Sequence, residues 1–277
     1  VTPFDQDGGL RPAILDLDFV RSLRARAARD ASGLYAVEGV RFLIAAADAG
    51  ASIEGIVMCE ALLGSAAGQM IVRRSRRRGV PVLKVTEQVF GSLGRLTEGT
   101  GRGVIAVVRQ RWCLPERVGD DELWLAIEGA RSPGNIGTLL RTCLAVGARG
   151  VFALGDVDLH DPGCVRATMG ALPALELARV SSAELGAIAR RSRARIIGTS
   201  PLGTHDFRQA SYARPAIIAV GCERKGLSGA LQRACDVLVR IPMRGALDSL
   251  NLAVAGSLVL YEAFPIAQSA RGLRRSP

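Results

Sequence analysis

From Leu123 onward the chain repeats one pattern: a short run of β-branched and aliphatic residues, a turn, then a stretch with helical spacing. The runs are Leu123–Ile127, Gly150–Leu154, Arg195–Thr199, Ala216–Val220 and Val237–Ile241. Most are apolar throughout rather than alternating. A strand apolar on both sides must be covered on both, which is the situation inside a parallel sheet. Helical spacing falls at Asn135–Ala145, near Pro162–Gly170, at Ser182–Arg193 and at Ser228–Cys235. The pattern predicts an α/β fold with a mostly parallel sheet and helices on both faces. In such sheets ligands sit beyond the carboxyl ends of the strands.

The last strand stops at Pro242, which has no N–H to give a ladder. A loop is expected from Met243 to Asp248, with Gly245 free to take a positive φ. Asp248 or Ser249 is suited to cap the helix that follows. That helix, with Leu250, Leu252, Ala253, Val254, Leu258, Val259 and Leu260, is apolar nearly all round, so the sequence predicts it to be buried. Ser249 and Asn251 are then polar groups at its mouth, and each needs the backbone or a ligand as partner.

The first ~115 residues have the periodicities of a smaller α/β unit. Strands are expected at Leu34–Glu38, Ile53–Met58, Val80–Val85 and Val104–Val108. Helices are expected at Leu17–Ala31, Val40–Ala49 and Gln69–Arg78, with Thr86 capping a further one. Arg109–Asp121 carries Pro115 and Gly119 and has the composition of a boundary. The expected layout is a small domain over 1–112, a linker over 113–121 and a second domain over 122–277.

Composition narrows the function. In 277 residues, 48% hydrophobic and 22% charged side chains describe a globular chain rather than a disordered one. No apolar run reaches the ~18 residues of a membrane span. The first residues, with Asp5 and Asp7, lack the apolar core of a signal peptide, and a cytoplasmic location is expected. The cysteines at 59, 113, 143, 164, 222 and 235 have no CxxC spacing, and His160 and His205 are the histidines, so no metal site is expected. The formal net charge is +10, which favours an anionic partner, nucleic acid first. Arg73, Arg74, Arg76, Arg77 and Arg78 form the densest cluster. They are either an RNA contact or a solvated helix face.

Three loops on the expected carboxyl edge carry unusual residues. The first is Pro133-Gly-Asn-Ile-Gly-Thr-Leu-Leu-Arg141, where Asn135 is suited to a cap. The second is Gly221-Cys-Glu-Arg-Lys-Gly-Leu-Ser228, a carboxylate bracketed by glycines. The third runs from Ile241 to Asn251. Each by itself fits a plain connection. Neither GxGxxG after the first strand of this half nor GxxxxGK[ST] is present, which argues against a nucleotide-dependent oxidoreductase and against a P-loop.

In this order the three loops resemble the motifs of the SpoU-type RNA 2′-O-ribose methyltransferases of the SPOUT superfamily. Asn135–Arg141 looks like the first motif, Gly221–Ser228 the second, and Ile241–Met243 with Ser249–Ala253 the third. The likeness covers roughly residues 122–265. The N-terminal part is similar to the substrate-binding domain often attached in this family, itself like ribosomal protein L30e; Val37–Arg41 and Gly103–Val108 carry that likeness.

The resemblance implies S-adenosylmethionine as cofactor, bound in a trefoil knot formed by the C-terminal segment. It implies cofactor contacts at Thr199, Pro201, Gly221, Glu223, Gly226, Ile241, Met243, Leu250 and Ala253. It implies a catalytic group of Asn135, Arg141, Glu223, Ser249 and Asn251, with Arg141 central, and RNA contacts from Arg41 and the Arg73–Arg78 cluster. Family members are homodimers with shared sites. Ribosomal RNA is the expected substrate, with transfer RNA as alternative; a non-catalytic RNA-binding protein on the same fold is the other class.

Overall fold

A computed structural model describes residues 15–93, 103–244 and 249–264. The chain divides into two compact units, one made of residues 1–111 with 158–174, the other of residues 112–157 with 175–277.

The first unit holds a four-stranded sheet. Its strands are β1 (Leu34–Glu38), β2 (Ile53–Met58), β3 (Val82–Lys84) and β4 (Val104–Arg109), in the order β1-β4-β2-β3. β4 runs antiparallel to β1 and β2, and β3 is parallel to β2. Around it lie α1 (Leu17–Ser22), α2 (Arg26–Ser32), α3 (Val40–Asp48), α4 (Ala66–Arg77) and α5 (Glu87–Ser92), with α7 (Pro162–Ala167) from the later stretch. Val20, Leu23, Val57, Phe90, Ile105 and Val107 form one of its cores.

Two expectations for this unit need correction. Leu17–Ala31 is two helices, not one. The break frees carbonyls that a helix would have used, and buried Arg29 takes them: its Nη1 donates to Leu23 O at 2.9 Å and Arg24 O at 2.6 Å. Its Nη2 pairs with the Asp158 carboxylate, so the buried charge is compensated. The basic helix α4 begins at Ala66 rather than Gln69, because Ser65 caps it by accepting from Gly68 N at 3.1 Å. Gly68 reads as a helix breaker, yet a Cβ there would lie 2.6 Å from the Leu63 side chain.

The second unit holds seven strands, all paired in parallel: β5 (Leu123–Glu128), β6 (Gly150–Leu154), β7 (Glu176–Arg179), β8 (Arg195–Thr199), β9 (His205–Asp206), β10 (Ala216–Val220) and β11 (Val237–Arg240). Their order is β7-β6-β5-β10-β8-β11-β9. The α/β class and the parallel sheet expected from the apolar runs are found. Helices α6 (Pro133–Ala145), α8 (Ser182–Ser192), α9 (Gly229–Ala234) and α10 (Leu252–Glu262) complete the unit. Trp124 stacks on Phe152 at 4.5 Å between ring centres, within a core that includes Leu185, Ile188 and Leu231. Residues 113–121 are tied to this unit: Cys113 N donates to Leu177 O at 2.7 Å, Val118 N to Ser192 Oγ at 2.7 Å, and Val118 is fully buried.

β7 and β9 lie at the two edges and were not anticipated; both are short, and Glu176 and Arg179 break the apolar run of β7. The expectation that α10 is buried all round is also corrected. Leu252, Ala253, Gly256, Val259 and Leu260 are buried, but Val254 is 50%, Leu258 42% and Tyr261 56% exposed. Gly256 allows close packing, since a Cβ there would lie 2.5 Å from Leu139 of α6. Thr142 Oγ1 and Ser257 Oγ, 2.9 Å apart, add a polar link between the same two helices.

Candidate active site

The three motif loops follow β5, β10 and β11 at the carboxyl ends of adjacent or nearly adjacent strands. Helix α6 begins with proline at its first position, where a missing N–H costs nothing. Its cap is Ser132, whose Oγ accepts from Asn135 N at 3.4 Å. The expectation that Asn135 caps this helix is therefore corrected, and its side chain is released for longer-range partners.

Those partners join the loops. Asn135 Nδ2 donates to Glu223 Oε1 at 3.1 Å, and Asn135 Oδ1 accepts from Asn251 Nδ2 at 3.0 Å. Asn251 is the cap of α10: its Oδ1 accepts from Ala253 N at 2.8 Å and Val254 N at 3.3 Å. This corrects the expected cap at Asp248 or Ser249. Ser249 lies exposed two residues earlier, and Asp248 and Gly245 fall outside the described residues. The orientation of both amides is dictated by this chain, because each oxygen must face donors.

Glu223 ends the chain of amides. Partial burial works against its charge, but four donors outweigh it: its own backbone N–H, the Asn135 amide and the backbone N–H groups of Arg131 and Ser132. Its carboxyl is held below the ordinary carboxylate range. A carboxylate so satisfied is an anchor, not a proton acceptor for neutral pH.

The second loop is closed on itself. Cys222 N donates to Gly226 O at 3.1 Å, and Gly226 N to Cys222 O at 2.9 Å. Gly226 has φ +65°. At Gly221 a Cβ would sit 2.0 Å from the carbonyl carbon of Gly226, so only glycine fits the turn. Past the turn, Ser228 caps α9. Glu128, the last residue of β5, accepts from Ser228 N and Ser228 Oγ, each at 2.7 Å, and from Ser182 Oγ at 3.5 Å. Sequence reasoning passed over Glu128. Its signal was a carboxylate at the carboxyl end of an otherwise apolar central strand.

The remaining candidates line the same edge. Thr199 Oγ1 donates to Ala219 O at 3.2 Å, and Ser200 N to Val239 O at 2.9 Å. Pro201 is exposed, Ile241 and Leu250 are half-buried, Met243 is 37% exposed and Ala253 is buried. Half-buried aliphatic groups beside turns rich in backbone N–H and C=O suit a ligand with a flat heteroaromatic ring and polar ends. S-adenosylmethionine is such a ligand, and these residues fit it.

Arg141 is not drawn into the Glu223–Asn135–Asn251 chain. It lies six residues after Asn135, about 240° further round the helix, on the exposed stripe with Gly134, Thr138 and Leu144. In the first unit, Arg41, Arg73, Arg74, Arg76, Arg77 and Arg78 are all exposed. Among the described residues no three His, Cys, Asp or Glu side chains form a metal-ligating group, and no helix is long and apolar enough to cross a membrane.

Comparison with known proteins agrees with this geometry. The SpoU rRNA Methylase family matches residues 122–261, and the MRM3-like substrate binding domain matches residues 17–105. A 23S rRNA (uridine(2479)-2′-O)-methyltransferase of Streptomyces viridochromogenes is 37% identical over 155 residues, which span 53% of this chain and 53% of that protein. The 23S rRNA (guanosine-2′-O-)-methyltransferase RlmB of Vibrio vulnificus is 31% identical over 210 residues, 69% of this chain and 84% of that protein. The crystal structure of the SpoU methyltransferase AviRb from Streptomyces viridochromogenes with its cofactor AdoMet superposes with a TM-score of 0.80 at 30% identity, covering 95% of this chain and all of that one. With the family's motifs on one edge of one parallel sheet, and its domain matched across half the chain, this chain belongs to the SpoU rRNA methylase family.

Proposed function

We propose that this protein transfers a methyl group from S-adenosylmethionine to a ribose 2′-hydroxyl of ribosomal RNA. The observation that carries the reading is the hydrogen-bonded chain Glu223–Asn135–Asn251, which locks the three loops of the carboxyl edge into one site. The ribosomal RNA methyltransferases among its relatives support the substrate class. Residues 1–112 serve as the RNA-binding domain, 113–121 as the connection and 122–277 as the catalytic domain. The passage of β10 and β11 back among earlier strands is consistent with a knotted C-terminal segment.

The bound cofactor supplies an electrophilic sulfonium methyl. The loops Thr199–Pro201, Gly221–Gly226 and Ile241–Met243, with Leu250 and Ala253, hold it, the aliphatic side chains covering its ring and the backbone reading its polar edges. Glu223 and Asn135 fix the loops, and Asn251 fixes the start of α10. Ser249, exposed beside that start, orients the ribose. Transfer needs the 2′-oxygen in line with the methyl and water kept out. Arg141 is a poor base, since a guanidinium stays protonated to above ~12. It clamps the adjoining phosphate and stabilises the developing alkoxide.

The protein acts as a homodimer in this reading. Val254, Leu258 and Tyr261 fall at helical spacing on one exposed stripe of α10, with Leu144 of the adjacent α6 43% exposed. A second copy of the chain covers that face, and Arg141 then serves the partner's cofactor. Ribosomal RNA as substrate places the protein in the cytoplasm.

The test is transfer of labelled methyl from S-adenosylmethionine to ribosomal RNA, read as an alkali-resistant 2′-O-methylated linkage. Label confined to base atoms would overturn the assignment. Binding of RNA should also weaken steeply with salt, because the arginines of α4 displace counterions.

A further inference from the structure

The first unit contains a groove that the methyl-transfer reading does not use. It lies between α4 and the carboxyl ends of β2 and β3, with a volume of about 360 Å³. Its floor is apolar and buried: Met58 is 6%, Leu63 1% and Val72 4% exposed. Its rim is polar and mostly cationic, with Arg73, Arg76, Lys84 and Gln69, and it holds one carboxylate, Glu60. Arg73 also lines a second, outward groove of about 480 Å³ on α4 shared with Met70, Arg74, Arg77 and Arg78.

We propose that the groove is a pocket for one unpaired nucleotide of the RNA, whose base leaves its stack while the neighbouring phosphates follow the arginines of α4. The proposal rests on RNA being the substrate and adds to it a feature of that RNA. Three observations favour a base over a bare anion. A phosphate has no use for a buried floor of Met58, Leu63 and Val72, whereas the face of a base does. A phosphate is repelled by Glu60, whereas a base edge presents N–H donors that a carboxylate accepts. Glu60 is kept ionised for that task by its ion pair with Lys84, which holds its carboxyl below the ordinary range. Glu60 and Lys84 thus set an acceptor beside a donor, the pairing that the hydrogen-bonding edge of a base presents in reverse. The cations are placed where the backbone must pass: Arg73 belongs to both grooves, so a strand with one base in the inner groove has its next phosphates over Arg74, Arg77 and Arg78. Single-stranded, splayed bases are what proteins read most readily in RNA.

The experiment uses the whole protein and short end-labelled RNA hairpins, one fully paired and others with a single bulged position carrying each of the four natural bases or an abasic ribose. Affinity is read by fluorescence anisotropy. The expected result is that at least one bulged base binds about tenfold more tightly than the abasic and paired RNAs, the scale of a hydrogen bond to a charged group. Glu60→Gln and Lys84→Gln, both at exposed positions, should erase that preference and leave affinity for the paired RNA and for S-adenosylmethionine unchanged. Arg77→Ala should weaken all the RNAs alike. Equal, salt-sensitive binding of abasic, paired and bulged RNAs overturns the pocket and leaves the RNA reading standing. Absence of binding to any of the RNAs overturns both.

Discussion

Asn251 Nδ2 donates to Asn135 Oδ1 at 3.0 Å across 116 positions of sequence. This bond joins the start of α10 to the first turn of α6, and through Asn135 to Glu223. Asn251→Ala removes a helix cap as well as the bond, and a lost cap costs about 1 kcal/mol. Asn251→Asp is the more telling variant. It keeps an oxygen for Ala253 and Val254, but sets another oxygen against Asn135 Oδ1. Rotating the Asn135 amide would only move the conflict to Glu223. Asn251→Asp should therefore melt near the wild type yet turn over at least tenfold more slowly, about 1.4 kcal/mol in the barrier. Thermal melting and single-turnover methyl transfer check the two halves.

Arg141→Ala should lower transfer by about two orders of magnitude or more, the range seen when a transition-state donor is removed. S-adenosylmethionine affinity should stay unchanged, since Arg141 faces away from the loops proposed to hold it. Equilibrium binding beside single-turnover rates separates these; a matching loss of cofactor affinity would place Arg141 in the cradle instead.

Glu128→Ala leaves Ser228 N and Oγ without their acceptor and frees the end of the second loop. Cofactor affinity should fall about tenfold, in the range for removing a hydrogen bond to a charged group. Glu128→Gln, which retains one acceptor oxygen, should recover part of that loss. Calorimetric titration with S-adenosylmethionine measures both.

Glu223 predicts a pH dependence. Its folded carboxyl is depressed below its unfolded value, so the stabilisation it gives is fully present above the unfolded value. That stabilisation is lost as pH falls through the folded value. Wild type and Glu223→Gln should differ in stability by a constant amount near neutrality, and the gap should close only in acid, below the ordinary carboxylate range. Urea melts at successive pH values read the gap; one that widened in acid would contradict the anchoring role.

Leu258→Glu places a charge in the middle of the exposed apolar stripe of α10. It should shift the protein from dimer to monomer in sedimentation and abolish transfer. If Arg141 works across the interface, mixing Arg141→Ala chains with Gly221→Val chains should restore part of the activity, because a mixed dimer pairs one intact Arg141 with one intact cradle. Mixed dimers that form and stay inactive would confine the site to one chain.

Strands β5, β6, β8 and β10 were legible to within a residue because burial on both faces leaves only apolar side chains. Caps were less so. Ser132 was visible in principle, since Pro133 marks the first helical position, but Asn135 drew attention as the more familiar cap. The start of α10 fell at Asn251, later than expected, because Asp248, Ser249 and Asn251 are all competent caps and only the partner at Asn135 decides among them. The exposed stripe of α10 was illegible for a different reason: apolar residues that meet the core and those that meet another chain have the same periodicity. The break between α1 and α2 depends on Arg29, whose role as a buried donor to Leu23 and Arg24 leaves no local signature.

Arg29 and its carboxylate partner Asp158 are 129 residues apart, and both belong to the first unit. During synthesis the amino-terminal sheet emerges long before Asp158 exists. Until then Arg29 must either stay hydrated or be buried without its counter-charge. The first unit is therefore not finished when its sheet is made; its completion waits for a segment delivered after the first two strands of the second unit. An early-formed RNA-binding body is thereby withheld from full assembly until the catalytic portion is already under construction.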